Sequence, residues 1–216
     1  ELGFLPEAFL NMLAMLGWNP GTEQEIFTIE EITEAFSMDR VHKGGAKFDF
    51  EKAKWFNHQW IQKLPIEIYK LRIKDIFQEK GINIIDENYF EKVLELVIER
   101  CSLLTDFYEQ ASYFFSAPAT WDEAAVKPKW NDAKDDFFRA FINKINTEQI
   151  FDAAIIEIIF KELATEKNIK PGELQLPMRV MLVGAKFGPG VFEIAATIGK
   201  EETINRIEKA LEIFKQ

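Results

Sequence analysis

Apolar residues recur along this chain with the spacing of helices almost everywhere and with the alternation of strands almost nowhere. Behind Pro6, the residues Phe9, Leu10, Leu13 and Leu16 form an i, i+3/i+4, i+7 stripe, which Trp18-Asn19-Pro20-Gly21 stops. Thr28-Ile29-Glu30-Glu31 is a capping box and predicts a second helix with Ile29, Ile32 and Phe36 inward. Beyond the Gly44-Gly45 loop, Asp49 caps a helix carrying Ala53, Phe56 and Trp60. After Pro65 the predicted helices lengthen. One runs over 66–80 and closes at Gly81, a second follows Asp86 with Phe90, Val93, Leu94, Val97 and Ile98, and an aromatic one covers 103–115. Thr120-Trp121-Asp122-Glu123 opens a short helix, and 132–145 is helical up to a boundary at Asn146-Thr147. The last third reads as a helix over 148–167, a turn at Pro171-Gly172 and a short helix from Pro177. A Gly188-Pro189-Gly190 turn follows, then a short helix over 192–198 and a charged one from Lys200 onward. The expected fold class is all-α, in three consecutive helical pieces without a fixed repeat.

The 216 residues are 47% hydrophobic and include twenty Phe and five Trp, enough to build a core and to exclude disorder. No apolar run approaches the length of about 20 residues that spans a bilayer. Glu1-Leu2-Gly3 has neither an initiator Met nor a basic leader and reads as the interior of a longer protein. Cys101 is the sole cysteine. It excludes an internal disulfide, fits a reducing compartment, and follows an apolar stretch that predicts burial. His42 and His58 lie too far apart in sequence to form a ligand pair, so no metal site is expected.

The net charge of −10 argues against a nucleic-acid partner. Its distribution weakens that argument. Arg40, Lys43, Lys47, Lys52 and Lys54 stand against Asp49 and Glu51, a local balance of +3. Lys161, Lys167, Lys170, Arg179 and Lys186 stand against three Glu, a balance of +2. Either island is an ordinary solvated face or a footprint on a polyanion, and charge alone favours the solvated face. Phosphate loops, dinucleotide fingerprints and nucleophile elbows are missing. Carboxylate pairs such as Glu30/Glu31 and Asp135/Asp136 sit on polar helix faces rather than poised as acid and base. These residues alone describe a helical interaction or binding module with no catalytic residue.

Several short stretches carry more. Gly3-Phe4-Leu5-Pro6-Glu7-Ala8, Leu13-Ala14-Met15-Leu16-Gly17-Trp18, Glu25-Ile26-Phe27-Thr28-Ile29-Glu30-Glu31 and Phe48-Asp49-Phe50-Glu51-Lys52 stand in the first third. Pro177-Met178-Arg179, Gly188-Pro189-Gly190, Phe192-Glu193 and Gly199-Lys200-Glu201-Glu202 stand in the last. In this order and spacing the chain resembles bacterial glutamyl-tRNA synthetases from end to end. The resemblance implies a stem-contact segment over 1–65, at the end of the catalytic half, and two helical anticodon-binding domains over 66–149 and 150–216. The similar bacterial glutaminyl enzymes read the anticodon with β-barrels, so helices favour the glutamyl type. Both class I ATP-binding signatures are missing. The resemblance therefore implies a non-catalytic, tRNA-binding fragment of an ATP-dependent ligase, with ATP and Mg belonging to the catalytic half. The expected partner is glutamate tRNA, with no DNA and no membrane, and the expected state is a cytoplasmic monomer.

Arg100 is the first candidate contact. It stands beside Val93, Leu96 and Val97, and no residue at helical spacing offers it a carboxylate. An unpaired guanidinium on an apolar ledge can stack on or hydrogen-bond an unstacked base, although a snorkelling surface residue is the commoner case. The resemblance implies that it reads the third anticodon base, C in glutamate tRNA against G in glutamine tRNA. Arg179, at the expected helix start, opposes the helix dipole, and the resemblance puts it at the anticodon. Gly188, Pro189, Gly190 and Val191 match a turn that approaches the first anticodon bases; many members carry a hydroxyl residue where Gly188 stands. Lys161 matches a basic anticodon-side position, while Lys43, Lys47 and Lys52 are candidates for stem phosphates on charge alone. Two rivals stay open. One is a helical protein-interaction module without an RNA role, and the other is the same fragment of a synthetase that also charges glutamine tRNA.

Overall fold

The structure, a computed structural model, describes residues 2–42, 44–45 and 47–215. The described residues form twelve α-helices and no strand, with one isolated antiparallel bridge between Trp18 and Val41. They divide into two compact units, Glu1–Gln110 and Ala111–Gln216. The first holds α1 (Pro6–Gly17), α2 (Ile29–Ala35), α3 (Phe50–Lys63), α4 (Lys70–Glu79), α5 (Glu87–Val97) and the start of α6 (Asp106–Phe115). The second continues α6 and adds α7 (Glu123–Val126), α8 (Asp132–Thr147), α9 (Ala153–Glu166), α10 (Pro171–Val183), α11 (Val191–Ile198) and α12 (Lys200–Phe214). The division falls inside α6, away from the joints expected near Pro65 and Asn146-Thr147, both of which stand at helix ends.

The expected caps form. Thr28 and Glu31 exchange the two bonds of a capping box. Asp49 accepts from the amides of Glu51 and Lys52, and Asp86 from that of Tyr89. Each satisfies amides that a helix start leaves without intrahelical partners. Within the first unit, Phe77 packs edge-on against Phe90 (5.5 Å) and Tyr108 (5.3 Å), joining α4, α5 and α6. Within the second, Phe160 of α9 meets Phe137 and Phe141 of α8 and Phe192 of α11 at 5.1–5.4 Å, all near-perpendicular, the favoured arrangement for aromatic quadrupoles.

Five expectations about local structure are corrected. The stripe of α1 faces outward: Phe9, Leu10 and Leu13 are exposed, while Ala8, Asn11 and Met12 are buried. Because α1 is apolar nearly all round, periodicity could not choose its face. The buried face was instead marked by a polar residue. Asn11 Oδ1 accepts from Phe27 N (3.0 Å) and Trp60 Nε1 (3.1 Å), while its Nδ2 donates to Glu25 O (3.0 Å). Helix α2 buries none of its residues, so Ile29 and Phe36 are not inward. The helix expected over 103–115 starts at Asp106, because Leu104 N donates to Gly3 O (2.9 Å) and Asp106 accepts from the amides of Ser102 and Leu103. In the last third, Asp152 caps a helix that begins at Ala153 rather than Glu148. Pro171-Gly172 opens α10 instead of forming a turn, and Pro177 lies inside that helix. Proline fits the first helical position because its missing amide is unbonded there anyway, so the earlier proline sets the start.

Candidate nucleic-acid interface

The first site lies where α5 ends. The α-helix stops at Val97 and a 3-10 turn, Ile98–Arg100, carries the chain into extended Cys101. In a 3-10 turn residues i and i+3 eclipse, so Arg100 stands at the solvent lip of the stripe formed by buried Val93 and Val97. The carbonyls released at this end are taken by one helix, α3. Gln62 Nε2 donates to Ile98 O (2.9 Å), His58 Nδ1 lies 2.9 Å from Cys101 O, and Asn57 Nδ2 donates to Ser102 O (2.6 Å). A carbonyl only accepts, so the His58 bond requires the proton on Nδ1. Asp106 holds the same segment from its amide side, accepting from Ser102 N (2.8 Å) and Leu103 N (2.9 Å). Arg100 itself is exposed and makes no hydrogen bond or ion pair among the described residues. Beside it Cys101 is fully buried, as expected. Burial pushes its thiol well above the usual range, the Asp106 carboxylate adds to the shift, and the Arg100 guanidinium opposes it.

The second site is the α10–α11 connection. Arg179 does not stand at a helix start: it lies one turn before the C-terminal end of α10, where a cation favours the dipole. The expected dipole penalty is therefore absent. The side chain turns onto its own chain instead. Its Nη1 donates to the carbonyls of Phe187 (3.3 Å), Gly188 (2.9 Å) and Pro189 (2.6 Å). Gly190 N donates to Glu193 Oε2 (3.0 Å) at the start of α11. Gly188 adopts φ +115°, and a Cβ there would stand 2.8 Å from Tyr113 Oη, so the position has no room for the side chain that the resemblance expects. Gly188, Pro189 and Val191 are buried, leaving Lys186, Phe187 and Gly190 as the exposed residues of the turn. The end of α10 is also held by groups remote in sequence. Trp121 Nε1 donates to Met181 O (3.2 Å), Asp122 N to Gly184 O (2.8 Å), and Arg206, only 2% exposed and paired with Glu202, to Leu182 O (2.7 Å).

The lysine candidates are surface groups. Lys161 pairs with Glu157 one turn back (2.6 Å), and Lys52 pairs with Glu25 (2.9 Å), both well exposed. Lys47 is exposed, and Lys43 lies outside the described residues. Reading the sequence passed over Phe187, an apolar residue between Lys186 and Gly188 that no helical stripe claims. No described helix is long and apolar enough to cross a membrane.

Two family models match the chain. One describes an anticodon-binding domain and covers residues 50–211; the other describes the class I (E and Q) tRNA synthetase catalytic domain and covers 1–55. Together they define a helical anticodon-binding region preceded by a segment that matches the class I catalytic-domain model. Among similar proteins, a glutamate–tRNA ligase of Flavobacterium psychrophilum is 43% identical over 98% of this chain and 42% of its own length. One of Porphyromonas gingivalis is 36% identical over 99% and 42%. The crystal structure of a glutamate–tRNA ligase from Elizabethkingia meningosepticum, in complex with its amino acid, matches with a TM-score of 0.89 and 38% identity, covering 97% of this chain and 41% of that one. The chain belongs to the anticodon-binding domain family of that first model, and it spans about 42% of the length of the curated glutamate–tRNA ligases it matches.

Proposed function

We propose that this chain is the tRNA-binding portion of a glutamate–tRNA ligase, holding the anticodon loop of glutamate tRNA and performing no chemistry itself. The observation that carries the reading is Arg100: an exposed guanidinium without a hydrogen-bond or ion-pair partner among the described residues, on a segment pinned by Asn57, His58 and Gln62. A side chain on a pinned backbone loses less freedom on binding than one on a mobile loop. Guanidinium is all donor. The Watson–Crick edge of C offers two adjacent acceptors, O2 and N3, whereas that of G offers one acceptor, O6, beside two adjacent donors, N1–H and N2–H. Arg100 in this position favours C as the third anticodon base.

In this reading residues 1–65 contact the tRNA stem and the two helical parts, 66–149 and 150–216, grip the anticodon arm. ATP and Mg serve the catalytic portion of the parent enzyme, which joins glutamate to its tRNA, and the fragment acts as a cytoplasmic monomer. The test is binding of the chain to glutamate tRNA and to unrelated tRNAs across a salt series. Affinity for glutamate tRNA should be higher and should fall linearly in log–log form as salt rises, by release of phosphate counterions. Lys161→Ala should reduce that slope by about one without changing the preference between tRNAs. Salt-independent binding, or equal affinity for every tRNA, contradicts the reading.

A further inference from the structure

We propose that Phe187 is a stacking platform for one unpaired base of the bound RNA; this rests on the RNA-binding reading above and adds a residue and a contact to it. Phe187 sits in the α10–α11 turn and is 42% exposed. One side of the ring is backed by Tyr113, itself only 5% exposed, with ring centroids 6.2 Å apart at 62°. A large part of the ring is left open to solvent. A lone exposed phenylalanine is too small a patch for a protein partner, whose interface buries several such residues together. It is the right size for a single nucleobase. Every base has a π-face, and proteins that bind single strands use exposed aromatic rings as platforms beside cationic groups.

The surroundings supply both remaining requirements. The first is rigidity. Arg179 gathers the carbonyls of Phe187, Gly188 and Pro189, and Glu193 holds Gly190, so the backbone from Phe187 to Gly190 is held before any ligand arrives. The second is charge. Lys186 precedes the ring, with its side chain 62% exposed and only a long pair, 3.4 Å, to Asp122. Its ammonium is available to a phosphate next to the stacked base.

The experiment uses the 216-residue chain with a hairpin RNA bearing the glutamate anticodon loop, and three further hairpins in which one anticodon base each is replaced by an abasic site. Phe187→Leu keeps apolar bulk without the π-face, and Phe187→Trp keeps the face. Phe187→Leu should weaken binding to the intact loop about tenfold, while Phe187→Trp holds it near the unsubstituted level. One abasic hairpin should already have lost that tenfold and should be bound equally by the unsubstituted chain and by Phe187→Leu, because the stacking partner is gone and the two losses do not add. Three results overturn the inference: no change with Phe187→Leu, the same loss with all four hairpins, or a loss with Phe187→Trp equal to that with Phe187→Leu. If the unsubstituted chain binds the intact hairpin and Phe187→Leu is neutral, this inference alone fails. If the unsubstituted chain binds none of the hairpins, the RNA-binding reading fails and this inference with it.

Discussion

Asn57 Nδ2 donates to the carbonyl of Ser102 at 2.6 Å, across 45 residues of sequence, while its Oδ1 accepts from Leu5 N at 2.7 Å. One fully buried amide thus joins the entry of the chain, the middle of α3 and the segment that carries Arg100. The candidate base-reading residue is positioned by the core of its unit.

Asn57→Ala should therefore be costly out of proportion to its size. It leaves the Leu5 amide and the Ser102 carbonyl without their partners, each at about 1–3 kcal/mol. A total loss of roughly 2–4 kcal/mol is expected from urea unfolding of the variant against the parent chain. A change below about 0.5 kcal/mol would mean that solvent replaces both bonds.

Gly188→Ala should destabilise by roughly 1–3 kcal/mol, because alanine is strained at φ +115° and its Cβ would crowd Tyr113 Oη. Gly44→Ala is the control, since a Cβ there meets nothing within 4 Å. Thermal melts should separate the two variants clearly. Equal melting temperatures would show that the turn adjusts freely.

Tyr69 gives a pH signature. It is fully buried, donates to Ile61 O (2.9 Å), and burial pushes its phenol from 10.0 up to about 12, with smaller contributions from Cys101 and Glu67. A phenol whose folded pKa lies above its unfolded value stabilises the fold fully below the unfolded value. That contribution is lost as pH rises from about 10 towards 12. Absorbance at 295 nm should show a late tyrosine ionisation that Tyr69→Phe removes. A Tyr69→Phe difference titration centred near pH 10 in the folded chain would contradict the burial argument.

Much of the fold was legible because helix starts are written locally. Thr28 with Glu31, Asp49 and Asp86 each cap their helix through residues within three positions. The failures have a common cause. Pro171 and Pro177 both suit a first helical turn, and the turn signal of Pro171-Gly172 hid the earlier start. The apolar circumference of α1 gave no face to choose, and the deciding bonds of Asn11 run to residues 14–49 positions away. Cys101 was placed correctly, since an apolar run before it suffices to predict burial. The candidate site divides in the same way. Arg100 could be found from the absence of a carboxylate at helical spacing, but its support by α3 comes from 36–45 residues away. Arg179 was singled out on a helix-dipole argument that does not hold, and its actual partners are the carbonyls of the following turn. Phe187 was passed over because periodicity has nothing to say about a residue outside any helix.

The central claim is that Arg100 reads a base rather than a phosphate. Four affinities at one fixed salt concentration test it most directly: the unsubstituted chain and Arg100→Gln, each with glutamate tRNA ending its anticodon in C and with the same tRNA carrying G there. A charged hydrogen bond to an unstacked base contributes about 1–3 kcal/mol, or roughly one to two decades of affinity. The unsubstituted chain should prefer C, and Arg100→Gln should weaken binding to the C form far more than to the G form, so that the preference narrows. If Arg100→Gln lowers both affinities by the same factor and leaves the ratio of C to G unchanged, Arg100 contacts only the backbone, and the base-reading account is wrong.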